Sequence, residues 1–376
     1  MTFRDAHTHL SAGAADLSDL DLREARSAYE IGRLVSAAAT ARATGWIRGW
    51  GWDGAAIPDD VVAGRPVFLA RKDGHGAWLN GAARGALGVP QDTPVVEESR
   101  FDAARKALPV RGDAERAAAL RARAHELSAC GVAAVDDMVE PWGPAIYARL
   151  AASGELPIAV RLWLPEEISE IEAERLSREF PFDDPRIAVA GIKVFLDGSL
   201  AARTAALTSP YADAPGQTGE LRIPEREIPE RLGRWARRGW PVAVHAIGDR
   251  AVSLALDALS ALPRPKQGAH RIEHAQVVKR SDLPRFGAAG IVASVQPRHW
   301  TDDLGFLAAR LGDGREVIAH PLRSLVKHGA RLIFGSDWPV SSFRPADVLA
   351  SATDPARGVE ALDPAAAAAW YTSGPP

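Results

Sequence analysis

Cys130 is the only cysteine in the 376 residues. No intrachain disulfide can form, so a reducing cytoplasm is the expected compartment. An excess of charge is missing too. Lys and Arg total 45 against 48 Asp and Glu, a net charge of -3, and the basic residues are scattered among the acids. Neither nucleic acid nor an anionic membrane is therefore an expected partner. No stretch approaches the roughly 18 uncharged apolar residues of a membrane span. The opening Met-Thr-Phe-Arg-Asp-Ala-His has no apolar signal-peptide core. Internal repeats are absent. What remains is 47% hydrophobic and 25% charged, ordinary globular composition of a length that suits one barrel with an insertion, or two domains.

Short apolar, strand-like runs recur at Phe3–His9, Gly131–Asp136, Ala159–Leu164, Ile187–Leu196, Pro241–His245, His270–Ala275, Ile291–Gln296 and Arg331–Asp337. Helical stretches rich in Ala, Arg, Leu and Glu separate them, such as Ala114–Leu127, Pro224–Arg238 and Arg250–Leu262. Alternating strand and helix predicts parallel strands joined by crossover helices, and eight strands are the number that closes a (β/α)₈ TIM barrel. A doubly wound open sheet would carry a Gly-rich phosphate turn after its first strand. Leu10-Ser-Ala-Gly13 is not one. Residues 11–125 exceed any single crossover and are read as an insertion at the barrel mouth, within one domain of 1–376. Arg65–Arg71, strand-like, is assigned to that insertion because it would otherwise make a ninth strand. Pro364–Trp370 is expected as a last helix.

The first chemical signal is Asp5-Ala-His7-Thr-His9-Leu. Residues i and i+2 of a strand share a face, so His7 and His9 aim two imidazoles into one space. Val242-Ala-Val-His245 and Arg271-Ile-Glu-His274 each end an apolar run with a histidine, and Leu332-Ile-Phe-Gly-Ser-Asp337 ends one with an acid. In a parallel barrel these ends lie on one face, where catalytic residues are found. Four His and one Asp suit Zn²⁺ or a similar divalent ion. Lys193 lies within Ala190-Gly-Ile-Lys-Val-Phe, where a charged amine is costly to bury. Three readings stay open for it: a neutral amine, a carbamate formed with CO₂, or a pair with Asp197.

His-x-His on the first strand, a strand lysine, two strand-end histidines and a final strand-end Asp together resemble the amidohydrolase superfamily. Asp197-Gly-Ser-Leu-Ala-Ala-Arg203, Asp73-Gly-His75 and Phe334-Gly-Ser-Asp-Trp-Pro339 are similar more narrowly to the branch containing N-substituted formamide deformylase. The resemblance runs over nearly the whole chain. It implies one or two divalent ions, expected to be zinc, with His7, His9 and Asp337 on one, His245 and His274 on the other, and carboxylated Lys193 between. Members of that family carry further segments that build a β-sandwich. Here Met1 stands just ahead of His7, so the sandwich is expected to be absent, with a second subunit covering the barrel ends.

The chemistry implied is hydrolysis of a C–N bond, in an amide, formamide or cyclic amide, by metal-activated water. Asp337 is the expected base. His75 and Arg203 are candidates for gripping the substrate, His299 for a supporting or substrate contact, and Asp249 for a helix cap. Trp142, Trp163, Trp300 and Trp338 fall at strand ends, and Trp50 and Trp52 are placed to close over them. These indoles suggest a small-molecule substrate with an aromatic or bulky apolar group. A lyase or isomerase on the same ligands, or an inactive binding barrel, is the alternative.

Overall fold

The computed structural model describes residues 2–372 apart from 17–19, 26, 42–44, 56, 60, 62–63 and 73. Asp73 of the Asp-Gly-His run thus lies outside the described residues. Two compact units divide the chain: Ala12–Ala119, and Met1–Ser11 with Leu120–Pro376.

The larger unit holds a sheet of eight strands in sequential order. They are β1 (Phe3–Thr8), β2 (Val132–Met138), β3 (Ala159–Pro165), β4 (Ile187–Phe195), β5 (Val242–Ala246), β6 (Arg271–His274), β7 (Val292–Val295) and β8 (Arg331–Phe334). All neighbours are parallel. Helices come after the strands, among them Gly143–Ala152, Glu170–Glu179, Ile228–Ala236 and Asp249–Ser260. Strands buried on both faces read as continuous apolar runs, and every residue of β4 before its terminal Phe195 is buried. The last strand meets the first just beyond β8. His9 N–H donates to Trp338 O and Asp337 N–H to His7 O, both at 2.7 Å, and Thr8 bridges Trp338 in parallel. The sheet is a nearly closed α/β barrel.

Side chains inside the barrel are layered. Arg4 and Ala6 of β1 face inward low in the barrel, while Phe3 packs its ring 5.2 Å from Tyr371 of helix Pro364–Thr372. Simple alternation would then turn His7 outward. A register shift between Asp5 and Thr8 prevents this, because an extra residue in one strand re-aims the side chains beyond it. His7 swings inward as a result.

The smaller unit pairs Ile47–Trp52, Val67–Arg71, Gly76–Leu79 and Val95–Glu97 into a four-stranded mixed sheet. Helix Ala28–Ala41 presents Ile31 and Val35 to its core, beside Leu22, Val67, Leu69 and Trp78. The strand-like run near Arg65–Arg71 therefore belongs to this sheet.

Candidate metal centre

Seven of the sequence-selected residues meet at the carboxyl ends of the barrel strands. His7, His274 and Asp337 are buried, and one donor atom from each lies within 4.8 Å of the others. Asp337 Oδ1 stands 3.3 Å from His7 Nε2 and 3.2 Å from His9 Nε2. The imidazole of His274 is 4.8 Å from that of His7 and 4.5 Å from that of His245, centroid to centroid. His299 stacks on His274 at 5.9 Å, with its Nε2 3.5 Å from Asp337 Oδ2. Lys193 Nζ is buried over the Phe195 ring at 4.7 Å.

Ring tautomers are set from behind. His7 Nδ1 donates to Glu273 Oε2 at 2.5 Å, which leaves Nε2 as the free lone pair. His274 Nδ1 donates to Gln296 Oε1 at 2.8 Å, with the same consequence. Such supporting bonds orient imidazoles and raise their basicity as ligands. His299 differs: Gln276 Nε2 donates to its Nδ1 at 2.8 Å, so the neutral ring carries its proton on Nε2, toward Asp337.

Backbone strain accompanies this convergence. His274 and Asp337 both adopt left-handed conformations, with φ of 74° and 58°, uncommon outside glycine and concentrated at functional sites. The turn at His274 breaks strand alternation, so adjacent Glu273 and His274 both reach His7.

The residues present fit a divalent cation. His7 Nε2, Asp337 Oδ1 and Lys193 Nζ are buried, and none has a hydrogen-bond partner. Buried polar atoms are ordinarily satisfied, and a cation at this point would satisfy the histidine and the carboxylate. Electrostatics agree. Burial opposes charge on Asp337, but the neighbouring His7, His9 and His274 outweigh it and hold the carboxyl well below its usual range. Burial, with His245 beside it, keeps His274 well below the ordinary histidine value and so neutral. Burial also lowers Lys193, to about 8.

The remaining expected residues take other partners, although Asp197 Oδ1 also stands 3.4 Å from His245 Nε2. Asp197 does not pair with Lys193: its carboxylate accepts the N–H groups of Ala206, Ile247 and Gly248 at 2.8–3.0 Å. Asp249 is not a cap. Gly248 holds that position, and Asp249 Oδ1 accepts from Thr208 N at 3.0 Å. Arg203 forms a two-point ion pair with Asp213. His75, in the smaller unit, bonds Glu98 at 3.1 Å.

The tryptophans divide. Trp163 is a correction: its ring lies inside the barrel, donating to Asp136 at 3.0 Å under the Arg271 guanidinium. Strand alternation turns it inward before the strand ends. Trp338 is only 2% exposed, wedged against Phe343 and capped by Arg123. Trp300 is buried under Arg357. Trp52 packs in the core of the smaller unit and Trp50 is buried in the same strand. Trp142 remains half-buried ahead of helix Gly143–Ala152.

A model of the amidohydrolase family matches residues 2–375. The chain belongs to the amidohydrolase family. It is 30% identical to Protein LONG AFTER FAR-RED 3 of Arabidopsis thaliana, over 91% of this chain and 66% of that protein. With the putative amidohydrolase YtcJ of Bacillus subtilis it shares 29%, over 91% and 70%, and with N-substituted formamide deformylase of Arthrobacter pascens 22%, over 92% and 72%. The chain thus spans just under two thirds of the length of the Arabidopsis protein. An uncharacterized metal-dependent hydrolase from Pyrococcus horikoshii superposes with a TM-score of 0.81 at 28% identity, covering 98% of this chain and 79% of that one. Its counterpart from Pyrococcus furiosus gives 0.78 at 29%, covering 98% and 80%.

Within this site the residue that the sequence did not single out is Glu273. It is fully buried between His7 and Arg271. Although burial raises it, Arg271 and His7 bring its pKa down to about 2. The sequence held a signal for it: Arg271-Ile-Glu273 puts an opposite-charge pair at i and i+2 of an otherwise apolar strand.

Proposed function

We propose that this chain is a metal-dependent hydrolase of amide-type C–N bonds. The observation that carries the reading is the meeting of His7 Nε2, Asp337 Oδ1 and Lys193 Nζ, buried and without hydrogen-bond partners, beside His9, His245 and His274. In this reading His7, His9 and Asp337 hold one ion and His245 and His274 a second, with zinc the ion that nitrogen-rich ligation favours. Lys193, its pKa lowered by burial to about 8, would combine with CO₂ through its neutral form, losing a proton to give a carbamate that could hold metal. A bound divalent cation supplies a water of lowered pKa and a polarised carbonyl. Asp337 takes the proton of the attacking water and passes it to the departing nitrogen. His299 Nε2–H, facing Asp337 Oδ2 at 3.5 Å, orients that carboxylate and meets the substrate. The relatives named for formamide and metal-dependent hydrolysis support the same class. Ala12–Ala119 is proposed as a unit inserted into the barrel sequence.

An aromatic group beside the scissile bond stays part of the reading; Trp142 is half-buried, while Trp163, Trp300 and Trp338 are buried. Both parts of the reading are tested by one assay. Metal-loaded protein is given paired benzyl- and methyl-substituted formamides, acetamides and cyclic imides. Turnover is expected for at least one class, with kcat falling roughly 10²–10⁴-fold in Asp337→Asn while circular dichroism is unchanged. Near-normal kcat in that variant would remove Asp337 as the base. Equal kcat/KM for benzyl and methyl substrates would end the aromatic preference.

A further inference from the structure

The other end of the barrel carries a second cluster of charge. A partly open cavity at the amino ends of the strands is lined by Arg4, Arg161 and Arg271, by Asp136, and by the aromatic walls Trp163, Phe182 and Trp370. Asp136 is fully engaged. Arg4 holds its Oδ1, and Arg271 Nη1 and Trp163 Nε1 donate to its Oδ2 at 2.8 and 3.0 Å. Arg271 also pairs with Glu273. Arg161 has no carboxylate within ion-pair distance among the described residues. Its guanidinium lies 4.2 Å over the Phe182 ring and reaches only the Phe182 carbonyl, at 3.3 Å. Three guanidinium groups therefore face two carboxylates, an excess of one positive charge in a largely buried space.

Two atoms show the same shortfall. Arg271 is 3% exposed, and its Nη2 has no hydrogen-bond partner; Arg161 Nε is buried and likewise unsatisfied. Buried guanidinium groups are ordinarily paired, since desolvating an uncompensated cation is costly. Burial, with Arg4 and Arg271 nearby, also brings Arg161 down to about 10 despite Asp136. Guanidinium forks match carboxylates bidentately, and the flat aromatic walls suit an apolar body behind the charge.

We infer that the amino-terminal mouth of the barrel is a binding site for the carboxylate of a small organic acid, gripped by Arg161 and Arg271 with its apolar part between Phe182 and Trp370. The site is separate from the metal centre. Arg271, Glu273 and His7 form a continuous charged chain between the two, so occupancy at one end bears on the orientation of a metal ligand at the other.

Benzoate, with benzamide as its neutral isostere, is titrated into metal-loaded protein and followed by tryptophan fluorescence and thermal melting. Saturable binding of benzoate with a raised Tm is expected, at least ten-fold tighter than benzamide. Arg161→Met is expected to weaken benzoate at least ten-fold. Trp370→Ala, a change at a partly exposed wall, is expected to weaken it several-fold and serves if the first variant does not fold. Chelated protein is expected to retain benzoate binding. Equal affinity for benzoate and benzamide, no saturable binding, or affinity unchanged in both variants would overturn the inference. So would loss of benzoate on chelation, which would place the acid at the metal centre.

Discussion

Glu273 shows how a single side chain sets the character of an imidazole it merely touches. Its bond fixes the His7 proton on Nδ1 and turns Nε2 toward Asp337. Replacing it by Gln keeps the shape but removes the charge that holds the imidazole. Glu273→Gln is expected to weaken metal retention roughly 10–100-fold, measured by competition with a chromophoric chelator, with the melting cooperativity preserved. Unaltered affinity would reduce Glu273 to a counter-ion for Arg271. Asp137 illustrates the opposite balance. Fully buried, it receives the Tyr147 hydroxyl at 2.8 Å and the Ser11 N–H, yet burial outweighs these bonds and raises its pKa to about 6. Between about pH 4 and 6 the folded state thus keeps a proton that the unfolded state has released, so this group's contribution to stability falls as pH rises. Asp137→Asn removes that dependence. Its stability relative to the parent is expected to improve from pH 4 to 7, by up to about 3 kcal/mol, in parallel urea titrations. A pH-independent difference would refute the assignment.

At the scale of elements, the site depends on where regular strands stop being regular. The register shift in β1 turns His7 inward, and the left-handed turns at His274 and Asp337 add donors that alternation alone would send elsewhere. The approach of β1 to the end of β8 allows no side chain at Gly335. A Cβ there would stand 2.5 Å from His7 Cβ and 2.6 Å from its nitrogen. Gly335→Ala is expected to push β1 away, costing roughly 1–3 kcal/mol of stability and lowering metal affinity together with it. A variant with parental Tm and full metal content would show that this closure tolerates movement. The Asp197 carboxylate does comparable work after β4, collecting three backbone N–H groups from the loops on either side.

For the whole molecule, the barrel brings candidate donors from five strands, or from just beyond their ends, to one place, so an ion bound there would stabilise the fold. Protein purified without chelator is expected to hold one to two equivalents of divalent metal by elemental analysis. Stripping it should lower Tm, because binding to the native state alone stabilises by mass action. Less than about half an equivalent, or a Tm indifferent to chelation, would count against the centre. Among the described residues no helix is long and apolar enough to cross a membrane.

The sequence by itself determined the eight barrel strands and the ends that carry ligand-type side chains, because apolar runs and their terminal residues are local properties of the chain. It also placed Val67–Arg71 outside the barrel, by counting. His7 with His9 was legible for the same reason: two residues apart on a strand, they need no distant partner to share a face. Tertiary structure alone decided that Glu273, 266 positions from His7, completes its environment. It decided as well that Asp197 holds backbone amides instead of Lys193, that Trp163 lies inside the barrel, and that Trp338 packs against Phe343. Those outcomes depend on contacts between residues far apart in sequence and on departures from ideal alternation, and neither leaves a periodic trace. The excess charge around Arg161 is of the same kind, visible only once the barrel sets three separate arginines beside Asp136 and Glu273.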